Sequence, residues 1–155
     1  MPVSELFKNA LSKARALCAS REYCISEILT KLRHWGLGDE ECENIIELLK
    51  QDNFINEERY ALGFVADKFK YNKWGKLKIA SQLMAKNIPG DMIRKALDTI
   101  DNEIYKNTLS DLISAHRRLV KARNHYDLKA KLLRYGLSKG FESSLLYDLL
   151  NDLEQ

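Results

Sequence analysis

Apolar residues recur three and four positions apart from the start of the chain. Leu6, Phe7, Ala10, Leu11, Ala14, Leu17 and Cys18 form one stripe, with Lys8, Asn9, Lys13 and Arg15 outside it. That spacing predicts an amphipathic helix from about Ser4 to Ala19, with Ser4 as its N-cap. A second helix carries Ile25, Ile28, Leu29 and Leu32. It is predicted to stop at Gly36, where the missing side chain permits a left-handed cap. A third follows with Ile45, Ile46, Leu48 and Leu49.

The pattern returns twice. Ile28, Leu32, Gly36 and Leu37 are spaced 4, 4 and 1, as are Ile79, Leu83, Asn87 and Ile88, and Leu128, Leu132, Gly136 and Leu137. Asn87 replaces glycine, and asparagine is the next residue to tolerate the left-handed conformation. An apolar helix follows each copy, at Ile45–Leu49, Ile93–Ile100 and Leu145–Leu150. Another precedes each, at Ser4–Ala19, Glu57–Tyr71 and about Thr108–Ala122. The reading is three tandem three-helix repeats, over 1–52, 53–104 and 105–155. A unit this small buries little core alone, so the three should stack into an elongated, curved all-α molecule.

The middle unit is the most apolar. Its first helix is predicted to start at Asn56 as N-cap, with Tyr60, Ala61, Leu62, Phe64, Val65, Phe69 and Tyr71 covering most of its circumference. Arg59, Gly63, Asp67 and Lys70 would leave only a narrow polar stripe, as expected of a helix flanked by two neighbours.

Composition narrows the class. Of 155 residues, 45% are apolar and 30% charged, a mix that can fold. With 2 prolines and 7 glycines, an all-β chain of many short strands is excluded. The net charge of +3 is modest, but residues 38–58 are acidic, whereas 67–95 and 106–139 are basic. Solvated helix faces of opposite sign explain this as well as a polyanionic partner does. Cys18, Cys24 and Cys42 form no CxxC pair, which suits free thiols in a reducing compartment. They share no ligand spacing with His34, His116 or His125. The first residues lack the continuous apolar core of a signal peptide, and no apolar run approaches the roughly 20 residues of a membrane span. A cytoplasmic monomer is expected.

One stretch carries candidate chemistry. Lys73, Trp74, Gly75 and Lys76 precede the amphipathic segment LKIASQLMAKNI. No GxxxxGK[ST] or GxGxxG pattern surrounds Gly75, so a phosphate loop is disfavoured. A turn in which Gly75 adopts an unusual backbone angle is expected instead. Trp74 either plugs a joint between units or stays exposed as a contact residue. Lys78 and Gln82 lie opposite the Ile79–Leu83 stripe and should face solvent. Lys70, Lys73, Lys76 and Lys78 then form a basic edge. The third unit adds Arg117, Arg118, Lys121, Arg123, Lys129, Lys131 and Arg134. These cannot all share one helix face. No nucleophile–base pair has interpretable spacing, and no enzyme activity, cofactor or metal is expected.

The middle unit resembles the RecX family of bacterial recombinase regulators. Asn56, Glu57, Arg59, Tyr60 and Ala61 match the family's Asn/Asp-acidic-x-Arg-aromatic-Ala run. Phe64, Lys70, Gly75, Lys78, Ile79, Leu83 and Ile88 match the remainder of its pattern. Arg21, Glu27, Ile28 and Leu32 add matches in the first unit. Cys24 stands where the family usually has serine. Cysteine caps poorly, so that helix is expected to fray or to borrow Ser26 or Ser20. The resemblance implies three tandem three-helix repeats. It also implies binding to the RecA recombinase filament, with inhibition of strand exchange and coupled ATP hydrolysis, and so regulation of recombination, DNA repair and the SOS response. The basic edge around Trp74 and the third-unit cations would contact the filament or the DNA phosphates within it. A stand-alone nucleic-acid-binding helical repeat is the alternative, and steep salt dependence on free DNA would mark it.

Overall fold

The computed structural model describes residues 4–152, and in it the chain is helical throughout. Helices α1 (Glu5–Ser20), α2 (Ile25–His34) and α3 (Asp39–Gln51) form the first unit. The second is α4 (Glu57–Lys70), α5 (Lys76–Ala85) and α6 (Gly90–Leu97). The third is α7 (Asn102–Arg117), α8 (His125–Ser138) and α9 (Ser143–Asp152). Helix packing is concentrated within units: α1 and α2 on α3, α4 and α5 on α6, and α7 and α9 on α8. Residues 1–3 and 153–155, the outer ends of the first and third units as read from the sequence, lie outside the described residues. The division after residue 104 runs through α7, because Asp101 caps that helix by accepting from the Ile104 N–H. Helix α7 therefore begins earlier, and ends earlier, than the expected Thr108–Ala122.

The apolar stripes build two cores. The first unit closes around Ala14, Ile28, Leu32, Ile45 and Leu49. The second and third share one core, which runs from Val65, Ile79 and Leu83 through Tyr105 and Ile113 to Leu132, Phe141 and Leu146. Each such side chain removed from water contributes about 1.5–3 kcal/mol before chain entropy is counted. Tyr105 is the link, its ring 5.8 Å from Phe69 and 5.1 Å from Phe141. From the first unit only Cys24 enters the second core. In the other direction Ile55 and Phe54, which precede α4, pack into the first core, so both joints have an apolar part and the larger lies between units two and three.

The repeated caps form as expected in the first two copies. Gly36 has φ +96°, its N–H donates to the Arg33 carbonyl, and the Leu37 N–H reaches the Leu32 carbonyl. Asn87, at φ +62°, does the same with Met84, and Ile88 with Leu83. These are Schellman caps. The third copy is displaced by one turn. Helix α8 continues through Gly136 and Leu137, and the left-handed residue is Gly140, at φ +93°, followed by Phe141. The structural repeat there is Leu132, Gly136, Gly140 and Phe141.

Helix α4 is less covered than its composition implies. Tyr60, Ala61 and Val65 are buried, but Leu62 and Tyr71 are exposed, as are Gly63 and Asp67. One long face of α4 is left to solvent.

Candidate functional site

The turn between α4 and α5 is built around the end of α4. The Lys68 carbonyl accepts from both the Asn72 and Trp74 N–H groups, and Lys73 takes the left-handed conformation at φ +57°. Gly75 itself sits at an ordinary φ of −76°, so its glycine does not serve an unusual angle. It serves contact: a Cβ there would stand 2.4 Å from the Gly140 carbonyl carbon and oxygen. The Gly75 N–H donates to the Lys139 carbonyl at 2.7 Å, and the Leu77 N–H to that of Gly140 at 3.0 Å. The Lys76 N–H donates to the Tyr105 hydroxyl at 2.9 Å, which in turn donates to Glu142. Burial, with Glu142 beside it, raises the Tyr105 phenol well above its ordinary value. The free donors at the start of α5 are therefore consumed by the end of α8 and by Tyr105. The motif is a joint between units two and three.

Trp74 is half-buried against the shared core. Its ring also carries charge, with the Lys68 ammonium 5.1 Å and the Lys78 ammonium 4.7 Å from its centre. It thus both fills the joint and presents a surface. Lys78 is half-buried too, unlike the solvent-facing Gln82. Lys139 joins them from α8's C-cap, donating to the Asn72 carbonyl at 2.9 Å. Burial, then the neighbouring Lys78 charge, lowers its ammonium from the ordinary lysine value. Among the described residues, no carboxylate lies in ion-pair range of Lys68, Lys78 or Lys139.

The remaining basic residues do not converge there. Lys76 lies over Tyr105, 4.9 Å from the ring centre, and Lys70 over Tyr71 at 5.2 Å. Lys73 faces a shallow groove with Thr108, Asp111, Leu112 and Ala115. In the third unit, Arg123 and Lys131 both pair with Asp127, at 3.7 and 3.1 Å, and Lys131 also donates to the Lys121 carbonyl. Lys129 donates to Asn151 and lines an apolar groove of about 670 Å³ with His125, Tyr126 and Tyr147. Arg117 lies beside His125 and Lys129, while Arg118, Lys121 and Arg134 are exposed.

The polar residues of the NEERYA run serve the other joint. Arg59 Nε donates to both Glu22 carboxylate oxygens, at 2.8 and 2.7 Å, its Nη2 donates to the Asn53 and Phe54 carbonyls, and its Nη1 to Asn53 Oδ1. The first turn of α2 does not borrow a serine for its backbone. The Glu27 carboxylate accepts from the Cys24 N–H at 3.0 Å, and Glu57, from the second unit, accepts from Ile25 at 3.4 Å. The Ser26 hydroxyl lies against the Cys24 sulfur instead, at 3.2 Å. Lys86 pairs with Glu27 at 3.4 Å. Glu22, Glu27 and Lys86 wall an open cleft of about 440 Å³ with Phe64, Asp67 and Lys68. Lys68 links cleft and joint, since its ammonium lies 5.5 Å from the Phe64 ring centre and also against Trp74. Phe64, Lys68, Trp74 and Lys78 alternate aromatic and cation, with Lys86, paired to Glu27, at one end of this strip and Lys139 beside Lys78 at the other. Lys68, Lys86 and Lys139 were not among the residues singled out from the sequence.

A tandem array of small helical units, holding an aromatic and basic strip across its joints, defines a helical-repeat protein. Residues 56–97 match the family model described as RecX, second three-helix domain. The chain is 33% identical over 130 residues to Regulatory protein RecX of Clostridium botulinum (strain Eklund 17B / Type B), covering 81% of this chain and 59% of that one. The same-named protein of Clostridium perfringens (strain 13 / Type A) is 30% identical over 129 residues, covering 82% and 58%. That of Prosthecochloris aestuarii (strain DSM 271 / SK 413) is 25% identical and covers 94% of both chains. The chain belongs to the RecX family. It spans somewhat under two thirds of the clostridial relatives' length. In fold it is similar to a crystal structure of regulatory protein RecX, with a TM-score of 0.87 at 22% identity, covering 96% of this chain and 72% of that one. It is likewise similar to RecX from Lactobacillus salivarius, at 0.84 and 19%, covering 98% and 99%. Among the described residues no helix is long and apolar enough to cross a membrane.

Proposed function

We propose that this chain is a non-enzymatic cytoplasmic regulator that binds the RecA recombinase filament on DNA and inhibits its ATP hydrolysis and strand exchange. Family membership supports the regulatory role. The observation that carries the contact surface is the strip from Lys86 to Lys139, which crosses both joints and holds half-buried cations beside aromatic rings. A filament groove offers DNA phosphates and acidic protein surface, and both reward such a strip. Lys70, Lys73 and Lys76 flank it, and the third-unit cations Arg117, Arg118, Lys121, Arg123, Lys129, Lys131 and Arg134 extend the basic surface. A rigid array docked across successive subunits opposes the motions that ATP turnover requires by its binding free energy.

The test is RecA-dependent ATP hydrolysis on single-stranded DNA, titrated with this protein against its cognate recombinase. Inhibition is expected, and charge reversal at Lys73, Lys76 and Lys78 weakens it while helicity is retained. Inhibition far below the recombinase concentration indicates end capping; inhibition only near saturation indicates groove coating. No inhibition and no co-sedimentation with verified filaments would overturn the proposal and favour a stand-alone nucleic-acid-binding repeat.

A further inference from the structure

Lys68, Lys78 and Lys139 come from three different segments, the end of α4, the first turn of α5 and the end of α8. The fold forces them together. A Cβ on Gly140 would stand 2.2 Å from the Lys78 Cβ, so only glycine permits this approach. Lys139 is adjacent to that glycine, and its ammonium is tied to the Asn72 carbonyl. Trp74 holds the other two ammonium groups at its ring. Like charges gathered in half-buried positions repel, and desolvation adds to the cost. In most lysine-rich surfaces a nearby carboxylate offsets this, as Asp127 does for Lys131 and Arg123. Here no carboxylate among the described residues does so. Lys68 borders a cleft that also holds Glu22, Glu27 and Asp67, so the charge with no carboxylate beside it is that of Lys78 and Lys139, and that end of the group is where an anion seats. The seat is open to solvent along the strip, so it suits a polymer's backbone better than an enclosed small anion. Ammonium groups act as point charges for phosphate oxygens.

We infer that Lys68 and Lys78, held at the Trp74 ring, together with Lys139 beside Lys78, seat phosphate groups of a single nucleic-acid strand. The inference rests on the filament reading for its setting, a partner that carries DNA, but it concerns a contact the chain makes by itself. The indole orients the ammonium groups; the phosphates neutralise them.

The test uses Trp74 as its own reporter. Of the 2 tryptophans, Trp35 lies in the first unit, so Trp35→Phe leaves Trp74 alone. That variant is titrated with a single-stranded oligonucleotide at several salt concentrations, and the unmodified chain is titrated in parallel by anisotropy of a labelled oligonucleotide. A saturable change in Trp74 emission is expected, with affinity falling as salt rises along a log–log slope of about −2, from ~0.7 per phosphate neutralised. Lys78→Gln and Lys139→Gln, checked for unchanged helicity, should each lose about 3- to 10-fold in affinity and reduce the slope by about 0.7. Lys8→Gln and Lys95→Gln, exposed lysines on α1 and α6 away from the strip, should change neither. Three outcomes would overturn the inference: no oligonucleotide binding in the anisotropy assay, binding unaffected by the Lys78 and Lys139 variants, or preference for polyglutamate over the oligonucleotide. The last would assign the strip to an acidic protein surface. Filament inhibition that survives in chains with no oligonucleotide binding would remove the phosphate seat and leave the regulatory reading standing. Oligonucleotide binding without filament inhibition would do the reverse.

Discussion

Gly140 and Lys78 meet backbone to backbone across a unit boundary: a Cβ on the glycine would come within 2.2 Å of the Lys78 Cβ and 2.7 Å of its amide nitrogen. The same glycine carries φ +93°, which side chains of L-residues rarely adopt. Two independent demands therefore fall on one position. Their joint product is the seam in which the Gly75 and Leu77 N–H groups, at the start of α5, donate to the Lys139 and Gly140 carbonyls just past α8.

Gly140→Ala should accordingly destabilise by about 2–4 kcal/mol, combining left-handed strain with overpacking. Gly63 provides the contrast. It lies inside α4, where an added methyl would have nothing within 4 Å, and its backbone is helical. Gly63→Ala should stabilise by about 0.5–1 kcal/mol. Urea unfolding of both variants checks the pair, and equal effects would contradict the seam.

Arg59 and Glu22 hold the other joint, but their side chains are 38% and 42% exposed. Solvent screening limits the ion pair itself to about 0.2–1 kcal/mol. A double-mutant cycle of Arg59→Ala and Glu22→Ala should return a coupling in that range. Arg59→Ala alone should cost more than Glu22→Ala, because the guanidinium also holds the Asn53 and Phe54 carbonyls. Equal single-variant costs would mean that those carbonyl contacts contribute nothing.

The features legible in the sequence were local. The helices, the N-caps Ser4 and Asn56, and the caps at Gly36 and Asn87 all follow from periodicity within a few residues. The third cap could not be placed because Gly136–Leu137 and Gly140–Phe141 present the same glycine–apolar pair four residues apart. One glycine ends the helix and the other makes room for a neighbour, a distinction that lies in the packing. The lysine cluster was half legible. Lys78 and Trp74 are near neighbours in the chain, whereas Lys139 reaches them only through the Gly75–Gly140 seam. Gly75 pointed to the right place for a different reason, since its backbone angle is ordinary and its value is the absent side chain.

Two carboxylates at the first joint should respond to pH in opposite directions. Burial pushes the Glu27 carboxyl upward, but the Cys24 N–H and the Lys86 and Arg21 charges outweigh it, so the net shift is downward. Glu27 therefore contributes stability present above its unfolded value of about 4.3, which is lost as pH falls through its lower folded value. Glu57 is raised, by burial first, against the Ile25 N–H and Lys50. Its folded form holds the proton more tightly, so its contribution declines as pH rises through the folded value. At neutral pH, Glu27→Gln should be less stable than the parent and Glu57→Gln more stable. Both differences should shrink as pH falls below the lowered folded value of Glu27, where both carboxyls are protonated in both states. Unfolding curves at the two pH values decide, and differences of the same sign would contradict the assignment.

Gly136 and Leu146 offer the sharpest test of the third unit's register. A Cβ on Gly136 would stand 2.3 Å from Leu146 Cδ2 and 2.9 Å from its Cδ1, and Leu146 is fully buried. Gly136 lies inside α8, where alanine has the better helix propensity by roughly 1 kcal/mol. Were it the cap, at positive φ, alanine would be strained whatever its neighbours. As a mid-helix glycine its nearest obstacle is the Leu146 side chain. Gly136→Ala alone should cost about 1–3 kcal/mol through overpacking, less its gain in propensity. Leu146→Ala alone should cost about 2–5 kcal/mol through the cavity it leaves. The two together should cost less than their sum, because the added methyl occupies space the leucine vacates. Additive costs in a double-mutant cycle would return the helix end to Gly136 and undo the one-turn shift.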